Sequence, residues 1–264
     1  MKNFSNLPVA ILAALLLFTS TCTKEEEPPK VRTLADVQED FSNFDISAGI
    51  HDDSIEYVNY KVWEFRIIAP ETVEGETYPL VIHLHGASGG ADDPHKSTAC
   101  YVEPGFEDID AFILSPNGGD ELWNHYGNQE MVVNLILLAK AYWPIDPDKI
   151  VVTGYSNGGN GAWFFGETQG PDLISAAIPM ASSYTTISTD GSVRVMPIPM
   201  YCIHGENDEL FPLEETEDWV NQTVDAGSDV TFVVATGLGH YEPCNYVDYL
   251  KDAVTWLTDE VWQE

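Results

Sequence analysis

The most informative segment of the chain is "KIVVTGYSNGGNGAWFF", residues 149–165. It starts as a short apolar run, passes glycines on both sides of Ser156, and continues with apolar residues at helical spacing. Gly154 and Gly158 permit a turn too sharp for residues with larger side chains. The segment therefore predicts a buried strand that turns directly into a helix and holds the hydroxyl of Ser156 at the corner. A serine in an ordinary tight turn is the alternative.

Short apolar runs and helical patterns alternate along the rest of the chain. Trp63, Phe65 and Ile67 alternate with charged residues, which predicts a half-buried strand. Further strands are predicted at 79–86, 110–118, 148–154, 174–181, 198–205 and 231–237, and helices at 128–143, 158–165, 214–224 and 246–261. Strands alternating with helices are typical of an α/β fold with a mostly parallel central sheet and helices on both faces. We expect a single such domain over residues 46–264.

The N-terminus has the pattern of an export signal. Lys2 precedes an apolar run of about a dozen residues, which is too short for a membrane span. Small residues follow and end at Cys22, and this arrangement resembles a bacterial lipoprotein cleavage site. We therefore predict a lipoprotein signal peptide over 1–21, a lipidated Cys22, and anchoring to the bacterial outer membrane. An ordinary signal peptide with an incidental Cys22 is the alternative, and both faces of the membrane stay open.

Composition restricts the partners and describes the segment behind Cys22. The formal net charge is −32, from 43 acidic and 11 basic residues. Nucleic acid is excluded as a partner because its binding depends on cationic contacts to phosphates. Residues 22–45 are charged, contain proline and lack periodicity, so they predict a flexible acidic tether. The only membrane contact we expect is through the lipid at Cys22.

Three cysteines remain once Cys22 is assigned to lipid. Their odd number permits one disulfide at most. Cys202 lies in an apolar run and is expected to be a buried small hydrophobe. We favour a Cys100–Cys244 disulfide because an exported protein meets an oxidising environment, although the other two pairings stay open.

Two residues downstream of Ser156 can make its hydroxyl a nucleophile. Asp208 follows one predicted strand in "IHGENDELFP", and His240 follows the last one in "ATGLGHYEP". Reactive groups of open α/β sheets lie at the carboxyl ends of strands, and all three residues occupy such positions. We therefore predict that His240 takes the proton of Ser156 and that Asp208 orients His240.

A tetrahedral intermediate also needs donors for its negatively charged oxygen. The glycine-rich turn in "HLHGASGG", residues 83–90, follows a predicted strand and presents backbone N–H groups. We predict an oxyanion hole formed by the N–H groups of Ala87 and Asn157, with Ser88 as the alternative to Ala87.

Taken together, "YPLVIHLHGASGG", "DPDKIVVTGYSNGG", "IHGENDELFP" and "GHYEP" resemble the α/β-hydrolase superfamily. The resemblance covers residues 56–262 and is closest to secreted polyhydroxyalkanoate depolymerases, feruloyl esterases and acetylxylan esterases. It implies a serine esterase that needs no cofactor and acts on feruloyl or acetyl groups of polysaccharides, or on small esters. It also implies a substrate-lining aromatic at Trp123, and we add Tyr155 and Ser88 as predicted substrate contacts.

Other functions stay open. A serine peptidase of the prolyl-oligopeptidase type uses the same residues, and a glycan-binding surface lipoprotein could use the same scaffold without catalysis. His83 and His85 alternate on one strand and could mimic a metal pair, and Asp92, Asp93 and His95 could bind calcium. We favour packing and turn geometry for these residues and predict no metal site.

Overall fold

A computed structural model describes residues 31–58 and 60–263. The predicted signal peptide, Cys22 and the first part of the predicted tether lie outside these residues. Within the described ranges, no helix combines the length and the apolar character that a membrane crossing requires.

The centre of the fold is one sheet of eight strands in the order β1-β2-β4-β3-β5-β6-β7-β8. The strands are β1 (Gly49–Glu56), β2 (Val62–Ala69), β3 (Tyr78–Leu84), β4 (Phe112–Pro116), β5 (Ile145–Tyr155), β6 (Ala176–Met180), β7 (Met200–Gly205) and β8 (Val230–Ala235). β2 pairs antiparallel with β1 and β4, and every other pair is parallel. The predicted α/β class with a mostly parallel sheet is confirmed.

Helices cover both faces of this sheet, as predicted. They are α1 (Leu34–Ser42), α2 (Val102–Gly105), α3 (Tyr126–Tyr142), α4 (Asn157–Gln169), α5 (Leu213–Asp225) and α6 (Val247–Trp256). Leu80 and Ile82 of β3 pack in the hydrophobic cluster that includes residues of α1, α3, α4 and α5. Val81 points the other way, into the cluster that includes residues of α2 and α6. Because both faces are covered, the buried parts of the central strands are mostly apolar.

The prediction of a flexible tether is wrong for residues 34–42, which form α1. Thr33 caps this helix in a reciprocal pair with Asp36. Val37 and Phe41 are completely buried, and the ring of Phe41 stacks on Trp143 at 5.0 Å between centroids. The two apolar residues are spaced for one helical face, but acidic neighbours hide the pattern. The compact unit accordingly begins at Arg32.

The sequence pattern does not predict strand β1. Its sequence, "GIHDDSIE", is mostly polar, and Ile55 is its one buried residue. β1 lies at the edge of the sheet, where one long side faces solvent and polar residues cost little. Hydrophobic periodicity therefore could not reveal it.

The Cys100–Cys244 disulfide is confirmed. It links the segment before α2 to the segment before α6, across 144 residues of sequence. Cys202 is the free cysteine of the described residues and is buried, as predicted. Burial raises the pKa of its thiol to about 12.

Candidate active site

Ser156 stands between the end of β5 and the start of α4, as the sequence predicts. Its backbone has φ 57° and ψ −119°, a conformation that residues with a side chain rarely adopt. Its N–H donates to the carbonyl of Met180 at 3.0 Å, and its carbonyl accepts from the N–H of Asn160 at 3.0 Å. The strained corner is thus held by bonds to the sheet and to the helix.

The two glycines of the turn are required by how closely β3, β5 and α4 approach each other. A Cβ on Gly154 would collide with the carbonyl group of Gly158 and lie 2.6 Å from the carbonyl oxygen of Leu84. A Cβ on Gly158 would collide with that same Leu84 oxygen. The obstacles are backbone atoms, which cannot rotate away, so no other residue fits without moving the helix.

The structure brings Ser156, His240 and Asp208 into one chain of hydrogen bonds. Nε2 of His240 is 2.9 Å from Oγ of Ser156, and Nδ1 of His240 is 2.8 Å from Oδ2 of Asp208. A carboxylate only accepts, so Nδ1 carries a proton and Nε2 presents its lone pair to the serine hydroxyl. This is the arrangement in which imidazole can remove the proton of a serine.

The carboxylate of Asp208 is completely buried and held by its own loop. Its Oδ1 accepts from the backbone N–H groups of Leu210 at 2.9 Å and Phe211 at 2.7 Å. His204, at the end of β7, donates from Nε2 to the carbonyl of Phe211 at 2.8 Å and so supports the same loop. No pattern in the sequence predicts this contact.

The loop that carries His240 is fixed from several directions. Oε2 of Glu209 accepts from the N–H of His240 at 2.9 Å, and this bond is the main reason that the pKa of Glu209 is lowered. Glu242 accepts from the N–H of Gly239 at 2.8 Å. The hydroxyl of Tyr155 donates to the carbonyl of His240 at 2.8 Å. Burial raises the pKa of Tyr155, so this donor stays protonated.

The two predicted oxyanion donors lie in segments next to Ser156. The turn after β3 passes close by, since a Cβ on Gly86 would be 3.6 Å from Cβ of Ser156. Asn157 is the first residue of α4, where helical N–H groups lack an intrahelical acceptor and the helix dipole is positive. Neither the N–H of Ala87 nor that of Asn157 has a hydrogen-bond partner in the described part of the chain. Both are therefore available to a ligand.

His85 holds the turn that presents Ala87. Its Nε2 accepts from the N–H of Gly118 at 3.0 Å, so Nδ1 is protonated and donates to the carbonyl of Gly86 at 2.6 Å. Burial lowers the pKa of His85, which keeps the ring neutral and this pattern intact. Apart from the position of His85 next to the turn, no pattern in the sequence predicts this role.

The three predicted substrate contacts, Trp123, Tyr155 and Ser88, also have partners within the protein. Trp123 is buried, and its indole N–H donates to the carbonyl of His85 at 2.9 Å. Tyr155 is buried as well and directs its hydroxyl to the His240 loop rather than to a ligand. Ser88 is half-buried, and its Oγ donates to Asp120. Each of the three residues also lines a cavity next to Ser156, so their role as substrate contacts stays a prediction.

Two cavities flank the serine turn. The α4 cavity, of about 310 Å³, is bounded by Asn157, one face of α4 and residues 183–185. The Ala87 cavity, of about 230 Å³, is bounded by the turn after β3 and by Tyr101 and Tyr155. A larger cleft of about 540 Å³ includes Ser175, Pro199 and Asp229, which directly precede strands β6, β7 and β8. Of these three cavities, the two smaller ones adjoin the candidate nucleophile.

His83 and His85, the pair considered as metal ligands, have other partners. The ring of His83 contacts Oγ of Ser115 at 2.9 Å and the hydroxyl of Tyr101 at 2.8 Å, and burial lowers its pKa to about 3. In residues 31–58 and 60–263, no three His, Cys, Asp or Glu side chains are grouped so that they could hold a metal ion.

Comparison with known sequences gives a family match. The sequence profile of the Dienelactone hydrolase family matches residues 118–254, which contain Ser156, Asp208 and His240. A curated relative from Arthroderma benhamiae, described as an uncharacterized secreted protein, is 27% identical over 216 residues. That alignment covers 66% of this chain and 22% of the relative, so the chain spans about a fifth of the relative's length.

Comparison with solved structures gives the fold. A thermostable esterase has a TM-score of 0.65 at 20% identity, with 80% of this chain and 62% of that chain covered. Fluorophosphonate-binding serine hydrolase F of Staphylococcus aureus has a TM-score of 0.68 at 13% identity, with 81% of this chain and 100% of that chain covered. A truncated carbohydrate esterase from gut microbiota has a TM-score of 0.64 at 17% identity, with 83% of this chain and 98% of that chain covered. The predicted α/β-hydrolase fold is confirmed, and the narrower esterase branch stays a prediction.

Proposed function

This chain belongs to the dienelactone hydrolase family, and from that premise we propose that it is a serine hydrolase of carboxylic esters. The observation that carries the proposal is the continuous hydrogen-bonded chain from Ser156 through His240 to Asp208. The partial exposure of Ser156 supports it, because an ester must reach the hydroxyl.

In the proposed reaction, Oγ of Ser156 attacks the ester carbonyl carbon while Nε2 of His240 takes its proton. The N–H groups of Ala87 and Asn157 donate to the oxyanion that forms. The intermediate collapses as His240 returns the proton to the leaving alcohol. Water then attacks the acyl-serine by the same steps in reverse, and Ser156 is regenerated with a free acid as the second product.

The test is replacement of Ser156. Ser156→Ala removes the nucleophile and leaves the fold, so we expect turnover of an aryl ester to fall by a factor of ~10³–10⁶. Ser54→Ala, on the exposed edge strand, is the matched control and is expected to retain the wild-type rate. Near wild-type activity in Ser156→Ala would remove the proposal.

We further propose that the natural esters are feruloyl or acetyl groups on a polysaccharide, or related small esters. The sequence resemblance to secreted polysaccharide esterases supports this, and so does the fold shared with a carbohydrate esterase. Assay of the purified domain with feruloyl, acetyl and butyryl esters tests it. A rate with butyryl esters far above the other two would contradict the feruloyl or acetyl assignment.

The two alternative functions predict different results. Acylaminoacyl peptidases share the fold, with a TM-score of 0.60 for the peptidase of Pyrococcus horikoshii. A peptidase would cleave peptide amides at rates comparable to aryl esters, whereas the proposed esterase would not. A non-catalytic glycan-binding protein would not be labelled at Ser156 by a fluorophosphonate, which phosphonylates an activated serine and releases fluoride.

The lipid anchor and the outer-membrane location are also proposed here, on the sequence around Cys22 alone. Expression of the full chain in a bacterium fed a clickable fatty acid tests the proposal. We expect label in the wild type and none in Cys22→Ser. Equal labelling of the two would contradict it.

A further inference from the structure

The walls of both cavities beside Ser156 are uncharged. The α4 cavity presents Leu122, Phe164 and Tyr184 together with the side-chain amides of Asn124 and Asn160. Oδ1 of Asn160 accepts from the N–H of Ser183 at 3.0 Å, which leaves its NH₂ group as a donor for a ligand. The Ala87 cavity contains no Lys, Arg, Asp or Glu, and the pKa of each of its histidines is lowered by burial.

Positive charge near the site is already neutralised. Eight Lys and Arg residues lie in the described ranges, and none of them lines either cavity. Seven of them make an ion pair with a carboxylate: Arg32, Lys61, Arg66, Lys96, Lys149, Arg194 and Lys251. The eighth, Lys140, borders the larger cleft before strands β6, β7 and β8.

Arg194 contacts the α4-cavity wall but is not one of the lining residues. Its guanidinium bonds both carboxylate oxygens of Glu167, which also accepts from the hydroxyl of Tyr184. Nη2 of Arg194 donates to the carbonyl of Thr185 at 3.2 Å as well. Arg194 is therefore paired with a carboxylate and does not line the cavity.

Carboxylates, in contrast, bond the two loops that adjoin the serine. Glu206, Glu209 and Glu242 each accept a backbone N–H from the loop that carries His240. Asp120 accepts from Ser88, next to Ala87 in the turn after β3. Within the described ranges the site therefore combines uncharged walls with negative charges around them.

We propose that this site accepts esters whose groups next to the scissile bond are uncharged, with the α4 cavity as the subsite for an uncharged group of ring size, and that it rejects esters that carry a carboxylate there. The inference rests on the proposed esterase function. An anion in either cavity would lose its hydration without gaining a cation and would be repelled by the carboxylates nearby. A neutral polar group instead finds the amides of Asn124 and Asn160.

A pair of esters that differ only in charge tests this inference. The acetyl esters of 4-hydroxybenzamide and 4-hydroxybenzoate have the same size and the same acyl group. After division by each ester's rate with hydroxide, we expect kcat/KM to be at least about tenfold higher for the benzamide ester at low salt. The ratio should fall as ionic strength rises from about 0.01 M to 1 M, because the Debye length shortens from about 30 Å to 3 Å.

A new positive charge at the mouth of the α4 cavity should reverse part of this preference. Leu122 borders the cavity and is 59% exposed, so Leu122→Arg adds a cation with little cost to packing. We expect the benzoate-to-benzamide ratio to rise about three- to tenfold in this variant at low salt. Leu137→Arg, at a 49% exposed position of α3 away from both cavities, adds the same charge and should leave the ratio unchanged.

The outcomes separate this inference from the proposed function. If neither ester is hydrolysed faster than by Ser156→Ala, the esterase function itself is wrong. If both are hydrolysed with equal normalised kcat/KM at low salt, the enzyme stands and the selection against anions is wrong. If Leu122→Arg and Leu137→Arg raise the ratio equally, the preference comes from the overall charge of the chain, and the α4 cavity is not the subsite.

Discussion

The hydroxyl of Tyr155 donates a hydrogen bond to the main-chain carbonyl of His240 at 2.8 Å. The residue before the candidate nucleophile thus holds the backbone of the candidate base, although 85 residues of sequence separate the two partners. The strained turn at Ser156 and the loop of His240 are therefore held together by this hydrogen bond.

Removal of the Tyr155 hydroxyl should make the loop of His240 less firmly held. In Tyr155→Phe the carbonyl of His240 loses its donor in a buried place, and we expect the free energy of unfolding to fall by about 1–3 kcal/mol. We expect kcat to fall as well, because His240 is held less firmly. Urea unfolding and ester hydrolysis measure the two effects. Tyr142→Phe, at a 39% exposed position, is the control, and equal losses in both variants would contradict the bracing role.

A methyl group at Gly158 should not be tolerated. Its Cβ would collide with the carbonyl oxygen of Leu84 and lie 2.7 Å from that of His85. We expect Gly158→Ala to lose more than about 4 kcal/mol of stability or to fail to fold. Gly127→Ala in α3 is the control, since its Cβ would meet the flexible Lys61 Nζ at 3.4 Å. Purified Gly158→Ala with wild-type stability would contradict the close contact between α4 and the backbone of Leu84 and His85.

Asp208 should matter for turnover more than for binding. In Asp208→Asn the amide can donate where the carboxylate only accepted, so His240 takes the wrong tautomer toward Ser156. We expect kcat to fall by about 10³–10⁴ with little change in KM. Glu209→Gln keeps an oxygen for the N–H of His240 and should stay within a few-fold of wild type. Similar losses in the two variants would argue against the orienting role of Asp208.

The disulfide should be a large contributor to stability. It closes a loop of 144 residues in the unfolded chain, for which the chain-entropy treatment gives about 5 kcal/mol. We expect the Cys100→Ser, Cys244→Ser double variant to lose that amount in urea unfolding. Dithiothreitol should produce the same loss in the wild type and no further loss in the variant. Unchanged stability after verified reduction would contradict the prediction.

The buried His83 should make the protein less stable in mild acid. Burial lowers its pKa from 6.5 to about 3, so the unfolded chain binds a proton that the folded chain refuses between these pH values. Stability therefore falls as pH drops through this window. We expect His83→Gln to reduce the slope of unfolding free energy against pH between pH 7 and pH 4, and the exposed His125→Gln to leave it unchanged. Identical slopes in wild type and His83→Gln would contradict the contribution of His83 to the loss of stability in acid.

The amino-acid sequence was sufficient for the parts of the molecule that local patterns encode. Apolar runs with turn residues gave the strands of the parallel sheet, and the glycines around Ser156 gave the strand-to-helix corner. The order of Ser156, Asp208 and His240, each after a different strand, gave a set of residues that the structure brings within hydrogen-bonding distance. Each of these signals is carried by neighbours in sequence, so no knowledge of packing was needed.

Long-range contacts decided the rest. α1 is a helix because Val37 and Phe41 find a core to pack against, and β1 is a strand because β2 pairs with it, although its own residues are mostly polar. His85 and Tyr155 position the site through hydrogen bonds to residues far away in the sequence. The charge of the site was likewise settled by tertiary structure, because only the fold determines which carboxylates neutralise the few cations and which are left beside Ser156.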